Sequence, residues 1–166
     1  MSKCIHTDRL VLRPHRAEDC AALVALIGNH KVSRWLPRVP HPYTDVDANT
    51  FVSRARNEDE ALAITLGDDL IGGCGIDEEL GYWLGVPYWG KGYATEVATA
   101  LVDRYFSKTS NSLASGHRVG NTASRKLLIR LGFKDTTRQW HFSQTEKADV
   151  EVQHMTLSAG KWGAQA

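Results

Sequence analysis

From Tyr93 to Phe106, the residues Ala94, Val97, Ala98, Leu101, Val102 and Tyr105 form one continuous apolar stripe at helical spacing. A helix with a single apolar face must cover it against a sheet or another helix. Just ahead of it, Gly85-Val86-Pro87-Tyr88-Trp89-Gly90-Lys91-Gly92 places three glycines in eight positions. Before that bend, Glu79 to Leu84 reads as a strand. Strand, glycine-bearing bend and amphipathic helix in direct succession point to an α/β fold.

The rest of the chain fits that frame. Arg9 to Arg13 alternates and stops at Pro14, a strand. Glu18 to Ile27 places Cys20, Leu23, Val24 and Ile27 on one helical face. Three prolines between Trp35 and Tyr43 stiffen an irregular connection. Thr44 to Arg56 reads as a helix opened by Thr44-x-x-Asp47, a capping box with Asp in place of Glu. Residues 61–66 and 70–75, around Gly67-Asp68-Asp69, predict a β-hairpin. Further on come a short strand at Leu113–Ser115, a helix from Asn121 to Leu131 closed by Gly132, and strands at Trp140–Ser143 and Val150–Leu157. The small, polar stretch from Ser158 to Ala166 is expected to fray. The fold class is therefore α/β (α+β, mixed sheet), a central mixed β-sheet flanked by about four helices. The expectation is one domain over 1–166, with an ordered core at roughly 7–158.

Composition excludes several function classes. Lys and Arg total 20 against 19 Asp and Glu, so bulk charge does not draw this chain to nucleic acid. Cys4, Cys20 and Cys74 are widely spaced and form no C-x-x-C, which gives neither a disulfide framework nor a zinc knuckle. The histidines at His15, His30, His41, His117, His141 and His154 have no metal-ligand spacing, so no metal is expected. No apolar h-region follows Met1 and no apolar run is long enough to cross a bilayer. The reading expects no signal peptide, no membrane and a reducing, cytoplasmic location.

Glycines before a helix start let backbone N–H groups close on a phosphate or diphosphate. A Walker A loop matches at Gly85, Gly90 and Lys91, but Gly92 stands where its Ser or Thr hydroxyl belongs. A dinucleotide fingerprint matches at Gly90 and Gly92, but Thr95 takes the third glycine's place and no acidic residue stands near Ser112 for a ribose. A tight turn without a ligand is the plain alternative. A third pattern fits better. Gly81-Tyr82-Trp83-Leu84 with Tyr88-Trp89-Gly90-Lys91-Gly92-Tyr93-Ala94-Thr95-Glu96 resembles the acetyl-CoA motif of the GNAT superfamily of N-acetyltransferases. More narrowly, it resembles the branch of the ribosomal-protein alanine N-acetyltransferases. In the general pattern Q/R-x-x-G-x-G/A, Trp89 takes the Q/R position, Gly92 the glycine and Ala94 the last small residue; Trp89 departs from it as that branch does. The likeness extends to Thr7-Asp8-Arg9-Leu10-Val11-Leu12-Arg13, Asn121-Thr122-Ala123-Ser124 and Leu131-Gly132-Phe133.

The resemblance implies acetyl-CoA as cosubstrate, lying between two splayed strands, one ending at Leu84 and one near Leu113. It implies pantetheine amides on the backbone of Leu84 and Val86. The diphosphate would rest on N–H groups of Trp89, Gly90, Lys91, Gly92, Tyr93, Ala94 and Thr95, and Asn121 would touch the pantetheine arm. Arg125 and Lys126 are candidates for the CoA phosphates, with ordinary helix solvation as the favoured alternative. The tyrosine acid of many members is replaced by Leu128, and Ser124 is the candidate acid instead; the alternative is a helix-start serine bonding to backbone. A backbone N–H near Leu84 would stabilise the oxyanion. Glu79 is the candidate base, or else part of a solvated acidic turn with Asp77 and Glu78. Trp35, Pro37, Tyr43 and Trp140 are candidate walls of the acceptor pocket, alongside Glu79. The implied activity is acetyl transfer to a primary amine, either a protein N-terminus or a small molecule, by a monomer or homodimer. The competing reading is an acyl-CoA-binding module without turnover, which Leu128 motivates.

Overall fold

In the computed structural model, which describes residues 4–55 and 61–165, eight strands form one sheet. They are β1 (Ile5–His6), β2 (Val11–Pro14), β3 (Leu62–Leu66), β4 (Asp69–Ile76), β5 (Glu79–Leu84), β6 (Leu113–Arg118), β7 (Lys134–Ser143) and β8 (Ala148–Leu157). Their order is β1-β2-β3-β4-β5-β6-β8-β7. Every neighbouring pair is antiparallel except β5 and β6. Parallel strands need a long crossover, and here it is α4 (Tyr93–Phe106). The other helices are α1 (Cys20–Ile27), α2 (His30–Ser33), α3 (Asp45–Ala55), α5 (Thr122–Leu131) and α6 (Ala159–Gly163).

Strand alternation sorts the apolar side chains onto two faces. On one face, Leu12, Ile64, Leu80 and Leu113 meet Val97, Ala98 and Leu101 of α4 and Leu127, Leu128 and Leu131 of α5. On the other, Ala63 and Leu70 are covered by Leu23 of α1 and by Ala48 and Val52 of α3. The expected capping box forms: Asp47 Oδ2 accepts from the Thr44 N–H at 2.8 Å, and Thr44 Oγ1 accepts from the Asp47 N–H at 3.3 Å. Gly132 ends α5 at φ 99°, a left-handed position where a Cβ is strained. The strand 79–84 and the helix 93–106 have the expected ends.

Other expectations need correction. Helix α1 begins at Cys20, after a single 3₁₀ turn at Ala17–Asp19, and Arg56 lies outside the described residues. Strand β7 begins at Lys134 rather than Trp140, and every residue but Ser143 is exposed. A strand with no buried face leaves no alternation in the sequence; pairing along β8 forms it. The chain end is docked rather than frayed. Ser158 caps α6, Trp162 Nε1 donates to Asp103 Oδ1 at 2.9 Å, and Gln165 Nε2 donates to the Leu131 carbonyl at 3.0 Å.

Candidate active site

Strands β5 and β6 pair only at Glu79 with Ala114 and Leu80 with Ser115, then diverge. Ser115 Oγ donates to the Leu80 carbonyl at 2.9 Å, at the last paired level. The Gly85 N–H donates to the Ile71 carbonyl at 2.9 Å. Antiparallel alternation therefore turns the polar groups of Gly81 and Trp83 toward β4, and those of Leu80, Tyr82 and Leu84 toward the opening. Trp89 Nε1 fills the Leu84 carbonyl at 2.8 Å. The Tyr82 N–H and C=O and the Leu84 N–H face the gap beyond the reach of the β5–β6 pairing.

At the mouth of this opening the chain makes one 3₁₀ turn, Val86–Tyr88, in which the Trp89 N–H donates to the Val86 carbonyl at 3.2 Å. Gly90 and Gly92 then take φ 72° and 81°, a conformation glycine adopts at little cost. Among the described residues, no acceptor meets the backbone N–H groups of Gly90, Lys91, Gly92, Tyr93, Ala94 or Thr95. The Glu96 N–H is the first to bond backward, to the Gly92 carbonyl at 3.1 Å. Free amides at a helix start, added to the positive end of the helix dipole, favour an anion. The Trp89 amide is not among them, because the 3₁₀ turn uses it.

Arg9, part of the family likeness but given no role by the sequence, reaches this region. Arg9 Nη1 donates to the Lys91 carbonyl at 3.0 Å, its Nε to Glu96 Oε2 at 2.8 Å, and its backbone N–H to Glu96 Oε1 at 2.8 Å. Thr7 Oγ1 donates to the same carboxylate, and the Arg9 guanidinium lies 4.5 Å from the centre of the Tyr93 ring. Burial alone would raise the Glu96 carboxyl, but hydrogen bonds from Thr7 and Arg9 and the Arg9 charge hold it below its ordinary value. The stretch Thr7-Asp8-Arg9 thus braces the loop and brings a cation beside it.

Inside the opening, Tyr82 OH and Ser124 Oγ lie 2.9 Å apart. The Ser124 N–H is capped by Asn121 Oδ1 at 3.2 Å, so the serine hydroxyl is left to Tyr82 rather than to backbone. Burial pushes the Tyr82 phenol up to about 12, against the opposing effect of the Ser124 bond. Leu128 is fully buried in the core. Glu79 is exposed, at the closed end of the strand pair and on the other sheet face from Tyr82. Three residues of strand put it about 10 Å along β5 from Tyr82. The structure therefore brings Ser124, Asn121 and Tyr82 together and leaves Glu79 apart. Arg125 forms a two-pronged pair with Asp135 at 2.8 and 3.0 Å, and Lys126 is exposed.

The α1–α3 face of the opening presents Gly81 and Trp83 from β5 and Gly116 and Arg118 from β6. A Cβ built on Gly81 meets nothing within 4 Å, so the floor is open there. Trp35 lies under Arg34 and Arg118, whose guanidinium carbons stand 4.6 and 5.6 Å from its ring centre. Tyr43 packs with Trp83 against the smaller core cluster, where burial raises its phenol to about 12. Trp140 does not join them. Its register opposite Glu151 puts it on the α5 side of the sheet, 68% exposed. Strand parity decides this, and the parity of β7 is invisible without its pairing. Among the described residues, no group of three or more His, Cys, Asp or Glu forms a metal cluster.

Known proteins share this architecture. Residues 9–134 match the family model described as an acetyltransferase (GNAT) domain. An uncharacterised N-acetyltransferase p20 of Bacillus licheniformis is 31% identical over 147 residues, which cover 78% of this chain and 82% of that protein. A GNAT-family acetyltransferase from Bacillus anthracis superposes with a TM-score of 0.83 at 18% identity, covering 95% of this chain and 99% of that one. RimJ of Mycobacterium smegmatis, solved with CoA-disulfide, superposes with a TM-score of 0.74 at 20% identity, over 94% of this chain and 88% of its own.

Proposed function

Because the chain belongs to the GNAT acetyltransferase family, we propose that it moves the acetyl group of acetyl-CoA onto a primary amine by direct attack of the neutral amine on the thioester. The observation that carries this reading is the run of unpartnered amides from Gly90 to Thr95 at the mouth of a sheet opening. Those amides, with Lys91 and Arg9 beside them, suit a diphosphate. Outward backbone groups of Tyr82 and Leu84 suit the amides of a pantetheine arm, with Val86 and the Asn121 amide next along the path. In this reading the thioester lies among Leu84, Tyr82 and Ser124.

Each chemical task then falls to a group of this chain. The Leu84 N–H stabilises negative charge developing on the carbonyl oxygen. The Tyr82–Ser124 pair donates a hydrogen bond or a proton to the leaving thiolate. Glu79, being distant, takes the ammonium proton only through water across the open floor at Gly81. The acceptor approaches from the α1–α3 face, between Trp35, Tyr43 and Trp83. Its class is a primary amine, either the α-amine of a protein N-terminus or a small-molecule amine.

Two measurements test the assignment. Thiol release from acetyl-CoA is followed with a panel of peptide and small amines; turnover with at least one is expected, and none would contradict transfer. Gly92→Asp puts a side chain on a residue at φ 81° and a carboxylate beside the anion site. It should weaken CoA binding by about tenfold or more, since like charges about 4 Å apart near a protein surface repel by up to about 4 kcal/mol. Unaltered affinity would remove the loop from the site.

A further inference from the structure

We infer that His117 is a ligand-binding residue whose Nε2 accepts a hydrogen bond from an N–H or O–H group of the pantetheine arm. The inference deepens the function proposed above and rests on it. His117 stands on β6 two residues beyond Ser115, the last position paired with β5. Parallel register puts it level with Tyr82, across the opening, and alternation turns both side chains to the α4–α5 face. The residue is only 8% exposed.

The hydrogen bonds of the ring define its chemistry. His117 Nδ1 lies 3.1 Å from the Arg118 carbonyl oxygen. A carbonyl can only accept, so Nδ1 carries a proton, and in that tautomer Nε2 presents a lone pair. That Nε2 is buried and meets no partner among the described residues, an arrangement that folded proteins avoid unless something arrives to fill it.

Among the described residues, none of the side-chain donors at neighbouring positions bonds to this Nε2. Ser115 Oγ donates to the Leu80 carbonyl at 2.9 Å, and the Tyr82 hydroxyl is shared with Ser124 at 2.9 Å. Gln153, opposite His117 on β8, gives its Nε2 to the carbonyls of Thr137 and His154 at 3.2 and 2.9 Å. Arg125 is held by Asp135. With no described group bonded to Nε2, the donor we infer comes from outside the chain. A pantetheine arm carries amide N–H groups and a hydroxyl, and the site proposed above runs it along this side of the opening.

The test is calorimetric titration of CoA, and separately of ADP, which carries a diphosphate without the pantetheine arm. His117→Phe keeps an aromatic ring and removes the acceptor. It should weaken CoA binding about tenfold, the effect of one lost hydrogen bond to a buried group, and leave ADP binding unchanged. His117→Gln, which retains an acceptor oxygen, should recover CoA affinity to within about threefold of wild type. Unchanged CoA affinity in His117→Phe, or an equal loss for ADP and CoA, overturns the inference. If wild-type protein binds neither ligand, the assignment of the loop itself fails and His117 falls with it.

Discussion

Position 128 holds a core leucine, and the hydroxyl that reaches the opening is shared by Tyr82 of β5 and Ser124 of α5, 2.9 Å apart. The two act as one unit: the phenol, held protonated by burial, orients the serine, and Asn121 frees that serine from capping duty. If this pair serves the leaving thiolate, Ser124→Ala and Tyr82→Phe should each lower kcat about tenfold or more, the lower end of proton-donor effects. CoA affinity should stay within about twofold. The double variant should be no slower than the worse single one, because groups that act together do not add. Full turnover in both single variants would remove the pair from the chemistry. Ser124 was visible in the sequence as a motif residue. Its partner was not, because Tyr82 is 42 positions away and meets it only when β5 and α5 share a face.

At the scale of elements, the start of α4 is held from outside by the segment ahead of β2. Arg9 bonds both the Lys91 carbonyl and the Glu96 carboxylate, so it fixes the loop and adds a positive charge there. Arg9→Ala should cost about threefold to tenfold in CoA affinity, the range expected for one partly exposed charge. A loss that vanishes at high salt identifies the charge as the cause, and no loss at low salt would show that Arg9 only braces the fold. The ends of α4 and β5 were legible because burial on one side writes a clear period into the residues. The opening between β5 and β6 was expected from resemblance alone; spacing in Leu113–Arg118 says nothing of where pairing stops. Strand β7 was only half legible, since its exposed residues follow no period, and for the same reason the sequence could not tell that Trp140, a candidate pocket wall, stands on the α5 side.

For the whole molecule, the order of elements implies a mixed sheet flanked by helices, but not the contacts that close its ends. The small residues after Leu157 look like a tail, yet Trp162 ties them to α4 through Asp103. At the far side, His15 is buried beside Asp19 and against the edge of Phe51 in α3. Burial lowers its pKa from 6.5 to about 4, with Asp19 pulling the other way. The unfolded chain therefore takes up a proton at this residue before the folded one does. Stability is present above pH 6.5 and is lost as pH falls from there toward about 4. Between pH 7 and pH 5 the loss should be about 2 kcal/mol, read from urea midpoints. His15→Gln should flatten that decline; an unchanged decline in the variant would place the acid sensitivity elsewhere.

The claim on which the account turns is that main-chain nitrogens ahead of α4 grip the diphosphate of CoA. Amide ¹H–¹⁵N spectra of the labelled protein, recorded as CoA is added, address it residue by residue. The account predicts the largest shifts at Gly90, Lys91, Gly92, Tyr93, Ala94 and Thr95, with Trp89 moving less because its amide is held by Val86. Saturation of the protein with those six signals unmoved would contradict it.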